Sequence, residues 1–163
     1  MEWPVRKTTR LKQYDYNCPG YYFITICTRN KEKILSSIVG TGLPDGPHIQ
    51  YTEYGEVVRK QLDTMSEFYD NIILEKYVIM PNHIHLLIRI TDIFHPESNK
   101  DITNSSISSF VGTFKRFCNR QIGNNIWQSR SHDHIIRGEQ DYQKIWMYIE
   151  TNPVRWEKDC FYN

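Results

Sequence analysis

An α+β fold, a ferredoxin-like or RRM-like antiparallel sheet with helices packed on one face, is predicted by three features of this 163-residue sequence. The apolar segments come in the order strand, helix, strand hairpin, helix, late helix, which suits one sheet covered by a helical layer. The segment "YVIMPNHIHLLIRI" (77–90) is rich in Val, Ile and Leu and is interrupted at Pro81-Asn82 by turn residues. Two further segments carry apolar residues three and four apart, the spacing of amphipathic helices.

The elements follow in order. "YYFITICT" (21–28) predicts a first central strand, and "GTGLPDGPH" (40–48) a Gly/Pro loop, followed by a short strand around "HIQYT". From Thr52 to Phe68, Val57, Val58, Leu62, Met65 and Phe68 recur at helical spacing. The hairpin of 72–90 comes next, with one strand ending near Met80 and its partner starting at His83. Alternation on that second strand places His83, His85, Leu87 and Arg89 on one face, and Ile84, Leu86, Ile88 and Ile90 in the core. "TDIFHPESNKDITNSS" is a polar connection. Ile107, Phe110, Val111, Phe114, Phe117 and Cys118 mark a second helix, with Lys115, Arg116 and Arg120 toward its edge. "GNNIWQSRSHDHIIR" reads as a loop and a short strand, and "EQDYQKIWMYIETN" as a final helix. Pro153 disfavours helical geometry at Asn152, so this helix is expected to stop there.

The length fits a single domain over 1–163, long enough to bury a real core. A net charge of +1 gives no global bias toward a polyanion. Its distribution says more: Ile102 to Arg137 holds Lys115, Arg116, Arg120, Arg130 and Arg137 against one acid, Asp133, and "RKTTRLK" near the N-terminus is also basic. Such local positive regions fit a directed polyanion site or a solvated surface. Cys18, Cys27, Cys118 and Cys160 form no C-x-x-C pair, which argues against a zinc knuckle or a disulfide framework. No apolar run approaches membrane-spanning length and the N-terminus has no signal-peptide core, so a cytoplasmic protein with no membrane partner is expected.

His83 and His85 at i and i+2 share one strand face, so both rings can reach one ion; a pair of structural histidines is the simpler reading. A third ligand is needed. The final helix offers Tyr148 and Asn152, four apart and so on one face. If that face lies over the histidines, Asn152 supplies a carbonyl oxygen and Tyr148 holds its phenol one turn away. The plainer alternatives are a helix cap for Asn152 and half-buried packing for Tyr148. A tyrosine beside a metal makes chemical sense for phosphodiester transesterification. Free tyrosine has a pKa near 10 and is a poor nucleophile at neutral pH, whereas a divalent cation on a phosphodiester oxygen withdraws charge and aligns the phosphorus. The resulting covalent phosphotyrosine stores the bond energy for rejoining.

"MPNHIHLLI" followed by "IWQSRSHDHIIRGEQDYQKIWMYIETNPVRW" resembles the REP-associated tyrosine transposases, members of the single-tyrosine HUH superfamily, where U is a hydrophobic residue. "RLKQYDYNCPGYYFITICTRNK" resembles the family's opening strand region, so the likeness spans nearly the whole chain. The resemblance implies that His83 and His85 are metal ligands and that Tyr148 in "YIETN" is the nucleophile. Asn152 stands where related insertion-sequence transposases carry a glutamine ligand. It further implies an RRM-like core and Mg²⁺- or Mn²⁺-dependent nicking of single-stranded DNA, often at hairpins, that leaves a 5′-phosphotyrosine and a free 3′-OH. Relatives include monomers and dimers, so a monomer or a homodimer is expected.

Several residues compete or remain to be placed. Tyr142 also lies in helical sequence, but its i+4 neighbour is Trp146, which cannot ligate a metal. Arg130 and Arg137 flank the second H-x-H, His132 and His134, and either hold phosphates or face solvent. Trp127 reads as core rather than as a base-stacking platform. Three functions stand open: a DNA-nicking and joining enzyme, a non-catalytic RRM-like nucleic-acid-binding module, and a zinc hydrolase using His83, His85, His132 and His134.

Overall fold

The structure is a computed structural model that describes residues 14–40, 46–91 and 106–162. The basic "RKTTRLK" stretch, most of the Gly/Pro loop and most of the polar connection lie outside these residues. The hairpin forms as its alternation requires: β4 (Ile72–Ile79) and β5 (His83–Ile90), labelled by position in the chain, pair antiparallel from Ile79↔Ile84 to Ile72↔Ile90. Met80 N–H donates to the His83 carbonyl at 2.9 Å and closes the Pro81-Asn82 turn. The first strand, β1 (Gly20–Cys27), pairs with the other side of β5 and with β6 (His132–Ile135), both antiparallel. The sheet order is β4-β5-β1-β6, so β5 and β1 are the central strands, and they are the most buried.

Alternate residues of the central strands decide what each face meets. Tyr22, Ile24 and Ile26 of β1 and Ile84, Leu86, Ile88 and Ile90 of β5 face one helical layer. It is built from α1 (Glu53–Phe68) and α2 (Ser106–Ile122). These helices bury Val58, Leu62 and Met65, and Ile107, Phe110, Val111, Phe114 and Cys118, matching their apolar spacing. Trp127 is buried in this core. The opposite face carries α3 (Glu139–Thr151), where Leu87, Val78, Met80, Ile149 and Trp156 form a second, smaller core. The fold class stands, and the late helix is the element on the other side.

Two local features differ from the sequence expectation. A small hairpin, β2 (Ser36–Val39) with β3 (His48–Tyr51), is inserted between β1 and α1. β2 has no periodic signature of its own and exists through its pairing. The α-helix ends at Asn152 as expected, but that residue keeps right-handed helical angles (φ −57°, ψ −43°) and the chain runs on into a 3₁₀ turn over Pro153–Lys158. Proline suits the first position of the new turn, where its missing N–H costs nothing. Packing of Trp156 in the second core holds the continuation.

The entry to α1 shows how tightly the insert is tied. Thr52 caps the helix by accepting from Gly55 N–H at 3.1 Å, and its hydroxyl lies 3.0 Å from the Leu35 carbonyl. A Cβ on Gly55 would sit 2.0 Å from the Leu35 carbonyl oxygen. Gly55→Ala is therefore expected to destabilise the fold by about 1–3 kcal/mol through overpacking against backbone. Chemical denaturation reads this directly, and an unchanged midpoint would mean that the Leu35 backbone yields freely.

Candidate metal and nucleophile site

The sheet face opposite α1 and α2 carries Phe23 and Thr25 of β1 beside His83 and His85 of β5. Both histidines are buried, at 0% and 1% exposed, as residues of a stiff central strand. Each ring is oriented by a neighbour: His83 Nδ1 lies 2.8 Å from Asn82 Oδ1, and His85 Nδ1 lies 2.8 Å from Thr25 Oγ1. The two Nε2 atoms therefore face each other, 3.0 Å apart. Orientation of each imidazole through its other nitrogen is the arrangement that metal-binding histidines use. The asparagine in "PNH" and the threonine in "ITIC" were not singled out from sequence, because their roles depend on which residues lie beside them.

α3 crosses this face so that the Tyr148 ring centroid is 5.2 Å from that of His85 and 5.9 Å from that of Phe23. Tyr142 lies elsewhere on the helix, packed against Tyr21 at 4.9 Å and Trp146 at 6.0 Å. Asn152 is buried one turn beyond Tyr148. Its Nδ2 donates to Asp159 Oδ2 at 3.0 Å, and its Oδ1 is buried with no hydrogen-bond partner among the described residues. The 3₁₀ turn brings Asp159 back toward the histidines, its Oδ2 4.0 Å from His83 Nε2. Among the described residues, His83, His85 and Asp159 are the one such cluster with donor atoms all within 4.8 Å of one another. Sequence reasoning missed Asp159: it belongs to no spacing pattern and reaches the site only through the turn. Phe161 follows, its ring 4.5 Å from that of His83.

These residues fit a divalent cation. Donors at adjacent positions of an octahedral ion with bonds near 2.1 Å lie about 3.0 Å apart, the separation of the two Nε2 atoms. The buried Asn152 oxygen, without a hydrogen-bond partner among the described residues, is a free acceptor one turn beyond Tyr148. The electrostatics agree. Burial keeps both imidazoles neutral by holding their pKa values below the usual histidine range, and neutral imidazole is the ligand form. Burial also pushes the Tyr148 phenol up to about 12, with the Asp159 charge adding to the rise and the Asn152 side chain opposing it. The phenol is thus protonated at neutral pH.

The lowered imidazole pKa values have a consequence for stability. Above the unfolded-state value near 6.5 both forms of the chain hold neutral rings. Below it the unfolded chain takes up protons that the native site resists, so stability falls, by up to about 1.4 kcal/mol per pH unit for each ring. Denaturation in chelator is expected to show a falling midpoint from pH 7 toward pH 5.5. A flat midpoint would mean that the rings charge freely in the fold.

The basic residues divide by face. Lys115, Arg116 and Arg120 belong to α2, across the sheet from the histidines. Lys115 is partly buried, donating to the Gln128 carbonyl at 2.8 Å, and burial lowers its pKa. Arg116 and Arg120 are exposed. Arg130 and Arg137 are exposed on either side of β6, on which His132 and His134 also lie exposed. The β-sheet register puts His132 and His134 beside Thr25 and Phe23, on the α3 side, where His134 Nε2 pairs with Asp141 Oδ2 at 2.8 Å. These two histidines do not join the His83–His85 cluster. The cysteines are free thiols, with Cys27 and Cys118 buried and Cys160 exposed. Among the described residues no helix is long and apolar enough to cross a membrane.

No family model matches the chain. An uncharacterized protein of Haemophilus influenzae is 32% identical over 173 residues, spanning 96% of this chain and 93% of that protein. The REP-associated tyrosine transposase of Escherichia coli is 30% identical over 82 residues, 50% of this chain and 44% of that protein. Among solved structures, a REP-associated tyrosine transposase bound to a REP hairpin superposes with a TM-score of 0.64 at 21% identity, covering 90% of this chain and 73% of that one. The chain has the fold of that transposase, and its resemblance to these transposases is found in both fold and partial sequence.

Proposed function

We propose, for a chain with the fold of the REP-associated tyrosine transposases, that it nicks and rejoins single-stranded DNA at hairpin-containing elements through a 5′-phosphotyrosine intermediate. The observation that carries this reading is the Tyr148 ring set 5.2 Å from His85, beside two imidazoles whose Nε2 atoms converge. His83, His85 and Asn152 would hold Mg²⁺ or Mn²⁺, which when bound withdraws charge from a scissile phosphodiester and orients it. Tyr148 Oη attacks phosphorus as its proton leaves, the P–O3′ bond breaks, and the products are a 5′-phosphotyrosine and a free 3′-OH. Attack by that 3′-OH, or by another, expels the phenolate and rejoins the strand. Phe23 and His85 pack on the Tyr148 ring and limit its positions, so little orientational freedom is lost when it attacks.

In this reading Arg130 and Arg137, flanking the strand beside the site, hold phosphates near the cleavage point. Lys115, Arg116 and Arg120 would meet only DNA that extends to the helical layer. A second reading, a non-catalytic nucleic-acid-binding module, draws on Phe161, whose ring lies 4.5 Å from that of His83 and crowds the imidazole pair. Incubation with labelled single-stranded hairpin DNA and Mn²⁺ separates the two. A denaturation-resistant protein–DNA adduct is expected. Salt-dependent binding with no adduct under Mg²⁺ or Mn²⁺ would select the binding module instead.

A further inference from the structure

We propose that Asp159 is a metal ligand of this site and that Asn152 holds its carboxylate in place; the inference rests on the metal-dependent reading above. The Asp159 side chain is 2% exposed, and the only described group within ion-pair distance is His83, at 4.0 Å. A buried carboxylate without a cation costs several kcal/mol, roughly, and natural sites offset that cost with a paired charge or a metal.

The carboxylate is also aimed. Asn152 Nδ2 donates to Oδ2 at 3.0 Å and the Phe161 N–H donates to Oδ1 at 2.9 Å. These two neutral donors, with the Cys160 thiol beside the same carboxylate, fix its rotamer, much as contacts to Asn82 Oδ1 and Thr25 Oγ1 orient the two imidazoles through Nδ1. Donors sharing an ion with bonds near 2.1 Å lie between about 3.0 and 4.2 Å apart. The His83–Asp159 separation of 4.0 Å falls inside that span, and a shift of a few tenths of an ångström brings in the widest pair, which lies within 4.8 Å. The continuation of α3 into the 3₁₀ turn makes this approach possible, because Asn152 remains helical and the chain curls back within seven residues. The set then holds two imidazole nitrogens, one carboxylate and the Asn152 amide oxygen. A charged oxygen strengthens the hold on a hard dication such as Mn²⁺ beyond what neutral donors give.

Calorimetric Mn²⁺ titration and thermal melting of the full chain test the assignment, using wild type, Asp159→Asn and His83→Ala. Wild type is expected to bind one Mn²⁺ per chain, His83→Ala to lose binding, and Asp159→Asn to bind about tenfold more weakly or worse. In chelator Asp159→Asn should melt no lower than wild type, since it removes a buried charge, whereas with Mn²⁺ it should gain less than wild type does. Wild-type Mn²⁺ affinity in Asp159→Asn, with binding lost in His83→Ala, would overturn the Asp159 assignment and leave the two-histidine site standing. A marked loss of stability in chelator would show that the carboxylate serves the fold, which also overturns it. Failure of wild type to bind Mn²⁺ would remove the underlying metal reading and this inference together.

Discussion

Tyr148→Phe is expected to abolish both strand cleavage and the covalent protein–DNA adduct, while hairpin affinity and Mn²⁺ binding stay at wild-type levels. The substitution removes one oxygen and keeps the ring that packs at 5.2 Å on His85 and 5.9 Å on Phe23. Stability should therefore change by no more than about 0.5 kcal/mol. Loss of the attacking atom leaves no covalent route, and cleavage should fall by roughly a thousandfold or more. Tyr142→Phe should leave cleavage intact, because that ring packs on Tyr21 and Trp146, away from the histidines. Mass spectrometry of the trapped adduct checks the assignment. A nucleotide on the peptide position of Tyr142 would overturn it, and a free 5′-phosphate with no adduct would overturn the mechanism.

Removal of either imidazole, by His83→Ala or His85→Ala, is expected to cost about as much activity and to fail at a different step. Each variant loses one of two converging Nε2 donors, so the Mn²⁺-induced rise in melting temperature should disappear together with cleavage. Hairpin binding should persist, because the arginines proposed to hold phosphates lie outside the histidine pair. In chelator each variant should be folded and about 1–3 kcal/mol less stable: a buried ring leaves a cavity, and Asn82 or Thr25 loses its partner. Wild-type cleavage by either variant would show that the pair is structural. The contrast with Tyr148→Phe is diagnostic, since that variant keeps the metal response and loses only the chemistry.

The β4–β5 hairpin, α1, α2 and the placement of His83 and His85 on one strand face were legible because their signals are local: strand alternation, helical spacing and a Pro-Asn turn. The pairing of Tyr148 with Asn152 on one helix face was legible for the same reason. β2 was not, since four residues with no periodicity become a strand only against β3. Lys115 read as one of the basic residues at the edge of α2 that fit a polyanion site or a solvated surface, yet its ammonium bonds the Gln128 carbonyl. The helical backbone of Asn152 was not legible, because it follows from Pro153 beginning a new 3₁₀ turn with Trp156 buried below it.

The sequence by itself determined the order of the longer elements, the core face of each and which residue types are able to do chemistry, because periodicity and residue chemistry are properties of neighbours along the chain. Only the tertiary structure decided that α3 lies across the face opposite the other helices, that Asn82 and Thr25 turn the two imidazoles toward each other, and that Asp159 returns to them. Apart from the contact of Asn82 with its chain neighbour His83, each of those facts depends on a contact between segments far apart in sequence. Thr25 and His85 are 60 residues apart, and Asp159 meets His83 from the far end of the chain. Such contacts follow from which apolar surfaces bury one another, and no local pattern encodes that choice.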